Sequence, residues 1–351
     1  QKVFLFVFVS FLIVSLINPP PPREITTSLK FNNFIVVFSS KFLKKFSPFI
    51  LKTPQIYSSS LSSNSKNVYL KLESMQITGS FKLRGATNKL LHLTEEQKSK
   101  GVIAVSTGNH GKGVAHAAQK LGIKSKIFMS ELVPNHRRTS IEDLGAEIII
   151  SGTNSDEADY NAREYAKKNN VTLIHPFDDE QIISGQGTIG LEMLESLPNL
   201  DSVIVPTSGG GLIGGIAIAL KEQKPDIKVI GVSMKRGPSM YESLKAGKPI
   251  DVIEEETLAD CLGGSIGLEN KFTFDIAKET IDDFVLIDED EIAEGIKYNF
   301  EKHKIITEGA AATSIMVAKN QLSSCLGKNI VCLICGGNID SELFSKIIFR
   351  K

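Results

Sequence analysis

An excess of charge of either sign is missing from this sequence: forty lysines and arginines are matched by forty aspartates and glutamates across 351 residues. With no net field, nothing draws the chain towards a nucleic-acid backbone or an anionic membrane surface, and no nucleic-acid partner is expected. Cysteine is scarce too. Only Cys261, Cys325, Cys332 and Cys335 are present, all in the last third, which excludes a secreted disulfide framework. Cys332 and Cys335 form a Cys-x-x-Cys, but it begins inside Ile330–Ile334, an apolar run that reads as a buried strand. Strand positions three apart point to opposite faces, and no second Cys or His cluster completes a set of four ligands, so no metal is expected there. A repeat with a period of roughly 20–50 residues is also lacking, which argues against a solenoid.

What is present is ordinary globular material, 42% hydrophobic and 23% charged, long enough for two compact units or one large α/β domain. The first fifty residues stand apart, with ten of the nineteen phenylalanines. Val3–Ile17 is almost wholly apolar and is followed by Pro19–Pro22. That stretch fits the apolar region of a signal peptide behind Lys2, although no small-x-small cleavage site follows. The alternative is an upstream stretch with no folded role. Residues 1–40 are therefore read as an atypical extension, signal-like or unstructured. The cytoplasm is the expected compartment, with a signal or anchor left open.

From about residue 41, short apolar runs alternate with helical patterns. Expected strands are Val102–Val105, Lys126–Met129, Glu147–Ile150, Val171–Ile174, Val203–Pro206, Lys228–Val232 and Ile330–Ile334. Between them, Val114, Ala117, Ala118 and Leu121 follow helical spacing, as do Ile213, Ile216, Ala217 and Leu220. Continuously apolar strands alternating with amphipathic helices predict an α/β fold rich in parallel sheet.

Three glycine-bearing loops follow three of these strands, and each precedes a helix. They are Ser106-Thr107-Gly108-Asn109-His110-Gly111, Ser208-Gly209-Gly210-Gly211-Leu212 and Cys335-Gly336-Gly337-Asn338. Ligands in such folds bind outside the carboxyl ends of strands, where helix N-termini offer free N–H groups. The triple glycine suits an oxyanion cradle, because backbone N–H groups can approach without side-chain interference. Gly209-x-Gly211-x-x-Gly214 also satisfies a dinucleotide fingerprint. That reading needs an acid some 20 residues later, and the next strand ends in Val232-Ser233-Met234 instead.

The segment Thr78-Gly79-Ser80-Phe81-Lys82-Leu83-Arg84-Gly85-Ala86 joins these loops. Taken in order with Ser-Thr-Gly-Asn-His-Gly, Ser-Gly-Gly-Gly-Leu and Cys-Gly-Gly-Asn, it resembles the threonine/serine dehydratase and serine racemase family of pyridoxal-phosphate enzymes. The resemblance covers about residues 41–351. His175-Pro176-Phe177-Asp178-Asp179 and Gly185-Gln186-Gly187-Thr188 are similar to family segments as well. Ser233–Pro238 with Leu262–Leu268 looks most like the hydroxyectoine-utilisation dehydratase branch.

The resemblance implies the two-lobed fold-type II architecture, like the tryptophan synthase β chain. A large cofactor domain would comprise residues 41–100 and 175–351, and a small domain residues 101–174. It implies pyridoxal 5′-phosphate as cofactor, attached to Lys82, which would later remove the substrate's α-proton. Phe81 would pack on the pyridine ring, Asn109 would bond the 3′ oxygen, and Ser208, Gly209, Gly210, Gly211 and Leu212 would hold the phosphate. Cys335 would sit at the pyridine nitrogen and Glu308 near the ring. Ser106, Thr107, Gly108, Asn109 and His110 would hold the substrate carboxylate. A thiol is a weak donor that does not protonate the ring, which favours β-elimination over transamination. The implied reaction turns a small β-hydroxy amino acid, L-threonine or L-serine, into a 2-oxo acid and ammonia. The implied assembly is a homodimer.

Relatives with a divalent-metal site carry acids where Ser233 and Ser239 stand, so no metal is expected. The C-terminal regulatory domain of biosynthetic dehydratases is not expected either, nor isoleucine feedback. Two alternatives remain. Thr107 stands where racemases of this fold have a serine, which would suit an amino-acid racemase. A catalytically dead binding protein on the same fold would keep the loops without the reaction.

Overall fold

Strands apolar on both faces must be covered on both sides, and two parallel sheets satisfy that need here. The structure is a computed structural model, and it describes residues 26–31, 34–39, 46–133 and 135–349. Thr26–Phe31 (β1) and Phe34–Ser39 (β2) pair as an antiparallel hairpin. The apolar stretch Val3–Ile17 lies outside the described residues. Among the described residues, no helix is long and apolar enough to cross a membrane.

The remaining strands are Gln55–Tyr57 (β3), Asn67–Leu72 (β4), Val102–Val105 (β5), Ser125–Met129 (β6), Glu147–Ile150 (β7), Thr172–Leu173 (β8), Ser202–Pro206 (β9), Lys228–Met234 (β10), Asp283–Ile287 (β11) and Asn329–Ile334 (β12). The larger sheet has the order β11-β10-β9-β12-β4-β3, with only β3 antiparallel to its neighbour. The smaller sheet, β7-β6-β5-β8, is parallel throughout. In the larger sheet the chain steps from β9 outward through β10 to β11, while β12 takes the other flank of β9. The strand order reverses between β9 and β12, and a crevice opens at such a switch point outside the strands' carboxyl ends.

Each sheet has its own core. Val203, Ile204, Val205, Ile330, Val331 and Leu333 anchor the larger one. Ala104, Ile127 and Met129 anchor the smaller, together with Leu83, Ala86 and Leu90 from helix Lys82–Leu91. That helix crosses helix Glu180–Ser196 at close range: a Cβ on Gly185 would stand 2.7 Å from the carbonyl of Arg84.

Arg84 is wholly buried beside this crossing. Its Nε and Nη2 donate to Glu73 at 2.8 Å each, and its Nη1 donates to Glu192 at 2.7 Å. Lys71 Nζ reaches the same Glu192 at 2.5 Å. Two cations and two carboxylates thus neutralise one another, with only Glu192 partly open to solvent, tying the lysine-bearing helix to β4 and to helix Glu180–Ser196.

Candidate active site

The turn that presents Lys82 is stitched to the loop after β12. The Phe81 N–H donates to the carbonyl of Cys335 at 3.0 Å, and the Gly337 N–H donates to the carbonyl of Gly79 at 2.9 Å. Gly79 has φ +75°, and a Cβ there would strike the Asn338 side chain, so glycine is required. Lys82 is the first residue of its helix, so its side chain projects from the N-terminal end. Its Nζ donates to the carbonyl of Pro176 at 2.8 Å and lies 5.3 Å from the centre of the Phe81 ring. Burial lowers its pKa to about 8, despite the opposing pull of Cys261, Cys335 and Glu308.

Asn109 opens helix Asn109–Leu121 after β5. Its Nδ2 donates to both oxygens of Glu308, at 2.9 and 3.0 Å, while its Oδ1 accepts from Asn338 Nδ2 at 2.7 Å. The loop after β5 thereby meets the loop after β12 through a carboxylate from a third element. Burial raises the Glu308 carboxyl to about 7. On the same helix, His110 Nε2 stands 2.9 Å from the carbonyl of Ile174. Burial and then nearby Lys82 push its pKa down to about 3, so the ring is neutral and Nε2 carries the proton given to that carbonyl. Ser106 Oγ accepts from the Gly108 N–H at 3.2 Å, shaping the turn.

Ser208–Leu212 follows β9 and opens helix Gly211–Gln223. Gly210 has φ +87°, the loop lines the crevice, and the first N–H groups of the helix have no intrahelical acceptor. Behind the loop, the Phe177 ring occupies the place where a Cβ on Gly209 would stand. The Cys335 thiol is buried, and burial pushes its pKa well above the usual thiol range, so it remains a neutral, weak donor.

These residues border one cavity of about 480 Å³ at the switch point. Phe81, Lys82, Ser106–His110, Ser208–Leu212, Glu308 and Cys335 all line it. Two other lining regions carried no sequence signal. Arg137, from helix Asn135–Glu142, pairs with Asp260 at 3.1 Å, and Cys261 Sγ lies 3.5 Å from Asn109 Nδ2. Pro176 and Phe177 belong to a segment singled out for likeness alone. Ser239 Oγ donates to the carbonyl of Gly264 at 2.8 Å, and among the described residues no group of three metal-ligating side chains forms.

The donor set fits pyridoxal phosphate. A partly buried amine with a lowered pKa lines the same cavity as a glycine loop suited to a dianion, and a neutral thiol lines it too.

Comparisons with known proteins agree. The family model for pyridoxal-phosphate-dependent enzymes matches residues 46–336. A catabolic L-threonine dehydratase of Staphylococcus aureus is 44% identical over 306 residues, 86% of this chain and 88% of that one. The solved structure of maize serine racemase superposes with a TM-score of 0.82 at 32% identity, covering 88% of this chain and 95% of that one. Processed threonine deaminase isoform 2 from Solanum lycopersicum superposes with a TM-score of 0.81 at 32% identity, covering 95% and 93%.

Proposed function

The chain belongs to the pyridoxal-phosphate-dependent enzymes, and we propose that it acts there as a threonine/serine ammonia-lyase. The observation that carries the reading is Lys82, a partly buried amine with pKa about 8, set in one cavity with the Ser208–Leu212 cradle.

Bound pyridoxal phosphate supplies an electron sink for the pair released at the substrate's Cα. Lys82 would carry the cofactor and, once freed, remove the α-proton as a neutral base. The carbonyl of Pro176, already its acceptor, would hold the resulting ammonium. The Ser106–His110 loop would orient the substrate carboxylate by N–H groups and helix dipole. The Ser208–Leu212 cradle would take the phosphate, Asn109 the 3′ oxygen and Phe81 a face of the ring. The Cys335 thiol at the ring nitrogen would leave that nitrogen unprotonated, and Glu308 would hold Asn109 in place.

The bonds balance simply. The Cα–H bond breaks, its electron pair forms a Cα=Cβ bond, and the Cβ–O bond breaks with its pair going to oxygen, so that the α-proton and the β-hydroxyl are together lost as water. The enamine tautomerises, and water hydrolyses it to a 2-oxo acid and ammonia.

Two further features complete the proposal. Residues 101–174, which supply all four strands of the smaller sheet, would form the small lobe, against residues 41–100 and 175–351. A cytoplasmic homodimer is the proposed assembly. Leu51, Met75, Ile77 and Ile306, each about half exposed, supply apolar surface that a second copy could cover.

The test is to supply L-threonine and L-serine to the purified enzyme and measure ammonia and 2-oxo acid together. Equal amounts of both products are expected. D-serine as the main product would favour the racemase instead.

A further inference from the structure

The five residues His175–Asp179 touch more of the site than any role assigned so far explains. Pro176 receives Lys82, and Phe177 backs the glycine loop, its ring beside Gly209 and its carbonyl beside Gly211. Between those two glycines the loop meets a different element: a Cβ on Gly210 would lie 2.9 Å from Thr273 Cβ. Thr273 begins helix Thr273–Thr280, far from Phe177 in the chain. The two sides are joined by one carboxylate. Asp178 Oδ2 accepts from the Lys271 N–H at 2.7 Å, and its Oδ1 accepts from the N–H groups of Phe272 and Thr273 at 2.9 and 3.0 Å. His175 Nδ1 fixes the turn from which Asp178 reaches, accepting from the Asp178 N–H at 2.8 Å.

We propose that Asp178 is a positioning residue for the phosphate site: it clamps the Phe177 and Thr273 sides of the Gly209–Gly211 loop at the spacing the phosphate requires. Asp178 does not line the cavity, so it acts through the loop rather than on the ligand. Three charge-assisted hydrogen bonds to backbone N–H groups make the tie stiff. Without them, Phe177 and Thr273 are free to separate, and the Gly209–Gly211 loop loses the support on which its backbone shape depends. The same segment holds the acceptor of Lys82, so the clamp also sets the distance between the amine and the phosphate site.

This proposal rests on the reading that the Ser208–Leu212 loop takes the cofactor phosphate, and its test separates the two. Cofactor-free parent, Asp178→Asn and Asp178→Ala proteins are titrated with pyridoxal 5′-phosphate and with pyridoxal, following the absorbance band formed on attachment to Lys82. The parent should prefer the phosphorylated form strongly. In Asp178→Asn that preference should shrink by about tenfold or more, and further in Asp178→Ala, while pyridoxal binds as in the parent. A merely structural role would weaken both ligands by the same factor or unfold both variants, and either result overturns the proposal. So does an unchanged preference. A parent with no preference for the phosphorylated form would bring down the reading of the cradle itself, and the clamp with it.

Discussion

Lys82 and Pro176 lie 94 positions apart in the chain, yet the Lys82 amine donates to the Pro176 carbonyl at 2.8 Å. The carbonyl is neutral, so it orients the amine without adding the negative charge that would hold a proton on it. Burial therefore dominates, and the lysine pKa falls to about 8 rather than rising.

A pH dependence follows for cofactor-free protein. Only the neutral amine can attack the aldehyde of pyridoxal phosphate. The capture rate should rise with pH, pass its half-maximum near 8, and level off above it. Stopped-flow absorbance at fixed cofactor concentration measures this. A rate still climbing steeply near pH 10 would mean that Lys82 keeps an ordinary lysine pKa.

The buried ion cluster predicts a stability effect. Glu73→Gln leaves the Arg84 charge with only part of its compensation, in a place water does not reach. Breaking such a pair costs about 3–5 kcal/mol. Urea denaturation of the cofactor-free protein should show a loss of that size, and a loss below about 1 kcal/mol would contradict the account.

Much of the cavity's lining was legible because glycine-bearing loops follow uniformly apolar strands. Gly209–Gly211, Asn109 and Cys335 stand immediately after or close behind buried strands, and helices Asn109–Leu121 and Gly211–Gln223 follow the expected apolar spacing closely. Strand β4 escaped notice because Lys71 interrupts its apolar run, a charge tolerated there through Glu192, 121 positions away, and the carbonyl of Thr53. Strand β11 is half-buried at the sheet edge and begins with Asp283, so it lacks the same signature. Arg137 and Asp260 gave no signal for the same reason as Lys71 and Glu192: their partnership spans 123 positions and exists only in the fold.

Thr107 lines the cavity within the loop proposed to hold the substrate carboxylate. In the proposed elimination Lys82 takes the α-proton and the β-hydroxyl leaves with a proton, with no group needed on the face opposite Lys82, whereas racemisation needs a proton delivered to that face, where Thr107 is proposed to stand. Its β-branching narrows the rotamers open to the hydroxyl. Thr107→Ala should keep 2-oxo acid formation from L-threonine within about tenfold, or roughly 1.4 kcal/mol. Any D-serine formed by the parent should vanish in that variant, as chiral chromatography would show. Abolished elimination with cofactor still bound would place Thr107 in the main reaction.

The most direct measurement is to reduce the purified enzyme with borohydride, digest it and map the modified lysine, with ammonia release from L-threonine assayed on the same preparation before and after reduction. A pyridoxyl group on Lys82, together with loss of ammonia release on reduction, is the result predicted. Lys82→Ala should then yield no such adduct. A pyridoxyl group on another lysine, or full activity after reduction, would contradict the account.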